Sequence, residues 1–165
     1  MSRTWYRCIV VLVCVVLAGC SGAGESASSG SGSSTLRENL GTSSRSHIVR
    51  TSEEALLTRY GYRFQRRVDT TEDIRLETEW KDLTATGDEQ AQGYSFARVR
   101  ITITARPRSR SGGGAQTYSA RLVAECQVRR VDGVDWVDTP MTAMREEYIK
   151  EIANYLENEF KAGVR

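Results

Sequence analysis

Apolar positions along this chain follow two periods. In IRLETEW the alternation is strict: Ile74, Leu76, Thr78 and Trp80 point one way, and Arg75, Glu77 and Glu79 point the other. The preceding YRFQRRV puts Tyr62, Phe64 and Val68 on one face, and DTTED between the two runs reads as a polar hairpin turn. ARVRITITA alternates again, with Ala97, Val99, Ile101, Ile103 and Ala105 inward and Arg98 and Arg100 outward. Tyr94 and Phe96 have the opposite parity, which predicts either a bulge near Ala97 or a strand that starts later. In TYSARLVAECQVRRV, Tyr118, Ala120, Leu122, Ala124, Cys126 and Val128 share the buried face, so Cys126 is expected to act as a small hydrophobe. Asp132-Gly133 signals a tight turn, and VDWV adds a short fifth strand carrying Trp136.

The flanks are helical. Thr51-Ser52-Glu53-Glu54 reads as a capping box with Thr51 as N-cap, followed by Ala55, Leu56, Leu57 and Tyr60 on one stripe and Gly61 as the stop. At the other end Thr139 caps and Pro140 opens a long helix. Its stripe runs through Met141, Met144, Tyr148, Ile149, Ile152, Tyr155, Leu156 and Phe160. Strands with one apolar face and helices with one apolar stripe need each other. The expected fold is α+β: a single two-layer domain, an antiparallel sheet of four or five strands with an N-terminal and a C-terminal helix packed on one face.

The N-terminus has a different pattern. MSRTWYR is a basic leader, and CIVVLVCVVLA is an uncharged run of eleven residues. As a helix that run rises about 16 Å, against a bilayer core of about 30 Å. It is too short to span and has the form of a secretory signal with small residues at the cut. Leu17-Ala18-Gly19-Cys20 then resembles the lipobox of bacterial lipoproteins. The resemblance implies cleavage before Cys20, acylation of its thiol and anchoring to the lipid bilayer, palmitate-type chains contributing about 0.8 kcal/mol per buried methylene. Ser21 stands where Asp would signal inner-membrane retention, so the implied address is the periplasmic face of the outer membrane.

Residues 1–19 are thus read as signal peptide, 20–46 as lipidated cysteine and flexible Ser/Gly-rich linker, and 47–165 as the α+β domain. Removing Arg3 and Arg7 with the signal brings the 23 basic side chains level with the 21 acidic ones, which leaves no long-range field for drawing in nucleic acid or an anionic membrane. Cys8 and Cys14 leave with the signal and Cys20 carries lipid, so Cys126 is the remaining cysteine, without a disulfide partner or a metal-ligand cluster.

Motifs for catalysis are absent. His47, the single histidine, sits at the linker edge and reads as an exposed polar residue. No nucleophile elbow, phosphate loop or dinucleotide fingerprint occurs, and no cofactor is implied. Glu77 and Glu79 share a strand face at about 7 Å by strand rise, a spacing better suited to ion pairs with Arg75, Arg98 or Arg100 than to acid–base work. Arg106, Arg108 and Arg110 form a basic hairpin tip ahead of Gly112-Gly113-Gly114.

A helix, then GYRF, an acidic turn and IRLETEW resembles domains of small outer-membrane lipoproteins such as the BamC (NlpB) subunit of the β-barrel assembly machinery. Gly61, Tyr62, Thr78 and Trp80 occupy the matching positions, and the resemblance implies a helix-grip-like fold. The lipopolysaccharide-assembly lipoprotein LptE is similar in pairing two helices with a small sheet. Signal, tether and domain together predict a non-catalytic accessory lipoprotein whose partner is another envelope protein. The alternative is a lipid or small-amphiphile binding module, with Met141 and Met144 lining a cavity.

Overall fold

A computed structural model of the chain describes residues 33–108 and 116–163. The signal segment, Cys20, Arg110 and the Gly112–Gly114 tip lie outside the described residues. Strand β1 (Thr35–Ser43) leads into helix α1 (Arg45–Glu53), whose last turns widen to i→i+5 bonding over Glu54–Arg59. Then come β2 (Phe64–Asp69), β3 (Ile74–Thr78), β4 (Lys81–Thr84), short helix α2 (Gly87–Ala91), β5 (Phe96–Pro107), β6 (Tyr118–Arg129), β7 (Val137–Asp138) and helix α3 (Ala143–Ala162). The fold is α+β, with one open antiparallel sheet of seven strands. Its spine is the long β5–β6 hairpin, paired from Phe96↔Arg129 to Pro107↔Tyr118. β1 and β7 share the free edge of β6, and β3 and β4 share that of β5, with β2 outside β3.

The sheet therefore exceeds the four or five strands expected, for identifiable reasons. The stretch to residue 46 is not all linker: β1 pairs with β6 from Thr35↔Glu125 to Ser43↔Tyr118. Only Leu36 and Leu40 mark it as apolar, too thin a pattern to stand out beside serine and glycine, and the exposed edge of β6 supplies the hydrogen bonds that stabilise it. A register shift at Gly41, which has φ 84°, bends the strand toward α1. Helix α1 then begins at Arg45 with Ser44 as its extended N-cap, not at Thr51. Thr51 and Ser52 are buried inside it, because Ile48, Val49, Ser52, Ala55 and Leu56 already form the packed stripe. Gly61 does end the helix, with φ 63° and the Tyr62 N–H donating to the Leu56 carbonyl at 2.7 Å. Helix α3 starts at Ala143, and Thr142, not Thr139, accepts from the Arg145 N–H at 3.4 Å.

Two bulges change side-chain parity. In β2 the register slips between Phe64 and Arg66, so Val68 opposes Arg75 and leaves the face of Tyr62 and Phe64. Between β3 and β4 the residues Thr78, Glu79 and Trp80 oppose only Arg100 and Ile101 of β5, since Glu77 pairs with Thr102 and Lys81 with Val99. The bulge leaves the Ile101 N–H to the buried Thr78 hydroxyl, which accepts it at 3.0 Å. Trp80 turns away from Ile74, Leu76 and Thr78 as a result. On β5 no bulge is needed: the strand starts at Phe96, whose parity matches Arg98 on the outer face.

The inner face of the sheet is closed by apolar helix residues. Ile101, Ile103, Leu122, Ala124, Leu76 and Leu40 form one buried cluster with Ile48 and Leu56 of α1 and with Ile149, Ile152, Leu156 and Phe160 of α3. Each such side chain contributes about 1.5–3 kcal/mol by leaving water. Cys126 belongs to this cluster, and burial pushes its thiol up to about 11. Among the described residues no helix is long and apolar enough to cross a membrane.

Candidate binding face

The outer face of the sheet collects the even positions of β5 and the odd positions of β6, and it is rich in arginine. Register rows make its layout explicit. One row runs Asp138–Gln127–Arg98–Asp82 across β7, β6, β5 and β4. The next toward the hairpin end runs Thr35–Glu125–Arg100 and meets the bulge that carries Trp80. Arg129 and Phe96 pair on the opposite flank.

These side chains interleave as a stacked ladder. Arg100 lies 4.8 Å from the Trp80 ring centre, and Arg98 lies 4.7 Å from Trp80 and 4.4 Å from Trp136. Arg129 continues it, 4.9 Å from both Trp136 and Phe96. Each guanidinium–ring contact stabilises by about 0.5–1 kcal/mol at an exposed site and more when partly desolvated. The order depends on the β3–β4 bulge, which brings Trp80 to Arg98 and Arg100, and on β7, which holds Trp136 beside β6.

Polar bonds fix the ladder from its sides. Arg98 Nε donates to Gln127 Oε1 at 2.8 Å, and Gln127 Nε2 donates to Asp138 Oδ1 at 3.0 Å. Arg100 Nε donates to Glu125 at 2.7 Å and its Nη1 lies 3.4 Å from Glu77, which also takes Arg75 at 3.0 Å. Burial, opposed by Asp82 and reinforced by Arg100 and Arg129, lowers the Arg98 guanidinium, which stays charged throughout the working pH range. The Arg129 Nε is buried and has no hydrogen-bond partner among the described residues. Phe96 is 40% exposed, so the ladder ends in an open aromatic surface.

The residues singled out from the sequence are placed as follows. Glu77 is held by Arg75 and Arg100, while Glu79 falls in the bulge after β3 ends at Thr78, so they form no carboxylate pair on one strand. His47 is half-buried, not exposed: its Nε2 lies 3.0 Å from the Glu159 carbonyl and its ring packs edge-on to Phe160 at 6.4 Å. It is a strut between α1 and α3. Arg106 is 86% exposed and stands 4.0 Å from Asp73. Met141 is buried in the core cluster, whereas Met144 is 49% exposed, so the two do not line a common cavity. Among the described residues no three His, Cys, Asp or Glu side chains come together to hold a metal.

Sequence reasoning missed the ladder because its three aromatic members come from three segments. Trp80, Phe96 and Trp136 gain their common face only through the bulge and the β6–β7 pairing. The one local signal was the parity of Phe96 with Arg98.

No protein-family model matches the chain, and no curated protein matches it significantly in sequence.

Proposed function

We propose that this chain is a lipid-anchored, non-catalytic accessory protein of the bacterial envelope that docks a partner protein on the outer face of its sheet. Cys20 carries the lipid, the outer membrane holds the anchor, and the helix-grip-like domain faces the periplasm, in the manner of the BamC-like lipoproteins it resembles. The observation that carries the docking reading is the stacked row of Arg100, Trp80, Arg98, Trp136, Arg129 and Phe96. Tryptophan and arginine dominate the energetics of protein interfaces. Here they are held in place before any partner arrives, so little side-chain entropy is lost on binding. Arginines outnumber carboxylates on this face, which favours a partner segment carrying Asp or Glu beside apolar residues.

The filling of the sheet's apolar side by Ile149, Ile152, Leu156 and Phe160 supports this reading over the amphiphile-binding one. Photo-cross-linking in intact cells tests it, with a photoreactive residue at Asp82, exposed in the outer-face row beside Arg98, and at Asn154 on the far face of α3 as control. A discrete partner adduct from Asp82 alone is expected. Recovery of free monomer from both positions, with the protein normally lipidated, overturns it.

A further inference from the structure

Toward the β5–β6 hairpin end, the outer face passes from the ladder into a shallow concavity of about 520 Å³. Asn39, Arg121, Thr104 and Arg75 cross it as one register row over β1, β6, β5 and β3, strands about 4.8 Å apart. Arg37 stands in the adjoining row on β1, diagonal to Arg121, and Ser119 stands in the row beyond.

The arginines of this concavity differ from those of the ladder. Arg98, Arg100 and Arg129 stack on aromatic rings, and Arg75 is engaged by Glu77. Among the described residues, Arg37 and Arg121 make no ion pair and both are exposed. Asn39 Oδ1 already accepts the Gly41 N–H at 3.1 Å, so its free group is the Nδ2 donor. Thr104 and Ser119 add hydroxyls. The carboxylate on the lining is Asp73, at the rim beside Arg106. The concavity therefore presents two uncommitted guanidiniums, an amide donor and two hydroxyls with one peripheral negative charge.

We propose that this concavity binds a phosphoryl group. A carboxylate has two oxygens and suits a single guanidinium fork, whereas donors arriving from β1, β6 and β5 match the three terminal oxygens of a phosphomonoester. Arg37 and Arg121 bracket the anion, Asn39, Thr104 and Ser119 hydrogen-bond it, and Arg75 closes the far side while keeping Glu77. The group reaches the site as a phosphomonoester, on a lipid headgroup or on a soluble molecule, the recognition chemistry being the same.

The test uses the full chain. Isothermal titration with inorganic phosphate in chloride buffer is expected to show one saturable, salt-sensitive site. Arg37→Gln and Arg121→Gln are each expected to weaken it roughly tenfold or more, as loss of a charged hydrogen bond implies. Arg50→Gln, an equal charge change on the exposed side of α1, is expected to leave it unchanged. A second arm measures co-sedimentation with phosphatidylcholine vesicles with and without phosphatidic acid, whose headgroup is a phosphomonoester. Extra binding to the anionic vesicles that the Arg37→Gln/Arg121→Gln double variant removes identifies the headgroup source; phosphate binding without that difference identifies a soluble phosphoester. The proposal is overturned if phosphate fails to saturate and the double variant leaves vesicle binding intact, or if Arg50→Gln weakens phosphate as much as Arg121→Gln does. Circular dichroism that matches the parent chain shows that each variant is folded.

Discussion

Arg145 and Glu89 form a bidentate ion pair inside the protein, Nε to Oε1 at 3.0 Å and Nη2 to Oε2 at 2.7 Å. Both side chains are nearly fully buried, at 4% and 3% exposure. The pair joins α3 to α2 and is completed by Thr84, whose carbonyl accepts from Arg145 at 3.1 Å, and by the Thr86 N–H, which donates to Glu89 at 2.7 Å. Thr86 and Glu89 form the reciprocal capping box of α2. Burial alone would raise the Glu89 carboxyl, but the hydrogen bonds from Arg145 and Thr86 outweigh it and hold it below the usual glutamate range.

Glu89→Gln leaves the Arg145 charge buried and unpaired, so a loss of about 3–5 kcal/mol is expected. The depressed carboxyl also sets a pH window. Its stabilisation is complete above the unfolded value of about 4.3 and is lost as pH falls through the lower folded value. Urea midpoints at pH 7 and pH 3 check this: the gap between the parent chain and Glu89→Gln should narrow on acidification. A gap that stays constant across that range contradicts the assignment.

Gly163→Ala should be costly for a reason of space alone. An added Cβ would lie 2.3 Å from His47 Cδ2 and Nε2, and that ring is held by the Glu159 carbonyl and Phe160. Overpacking of this kind costs about 1–3 kcal/mol. The double variant with His47→Ala should be less destabilised than the sum of the two single changes, by thermal melts. Additive losses would mean that the two residues do not meet.

Cys126 should react with thiol reagents only when the sheet opens. Burial holds its thiol at about 11, far above solution pH, and the side chain is 3% exposed. Labelling by an aromatic disulfide at pH 8 should track global unfolding across a urea series. Rapid labelling of the native protein would place Cys126 outside the core.

Arg98→Gln removes the rung between the two tryptophans. A modest loss of about 1–2 kcal/mol is expected from two cation–π contacts, with Trp80 and Trp136 becoming more accessible to acrylamide quenching. Unchanged quenching with the fold intact would show that the stack does not order the rings.

Cys20→Ala tests the lipid anchor. The variant should accumulate as an uncleaved, unacylated precursor that incorporates no labelled palmitate. Normal cleavage and palmitate incorporation would refute the anchor at Cys20.

Much of the fold was legible wherever a local period persisted. The alternation of Ala97 to Ala105 and of Tyr118 to Val128 predicted both faces of the β5–β6 spine, and the stripe from Ile149 to Phe160 predicted the buried side of α3. Cys126 was legible in the same way. β1 was not, because an edge strand with only Leu36 and Leu40 as apolar markers gains its order from hydrogen bonds to β6, a segment some eighty positions later.

The amino-acid order alone thus determined which residues of the long strands and of α3 enter the core, since burial repeats with the local geometry of strand and helix. The tertiary structure decided everything that depends on meeting across distance. One extra residue at the β3–β4 bulge sent Trp80 from the expected inner face to the arginines outside. Strand pairing brought Trp136 and Arg98 together and set Arg37 beside Arg121, and the packing of α3 against α2 let Glu89 find Arg145. Side-chain parity reverses with a single inserted residue, and contacts between distant segments are set by register, which no local pattern encodes.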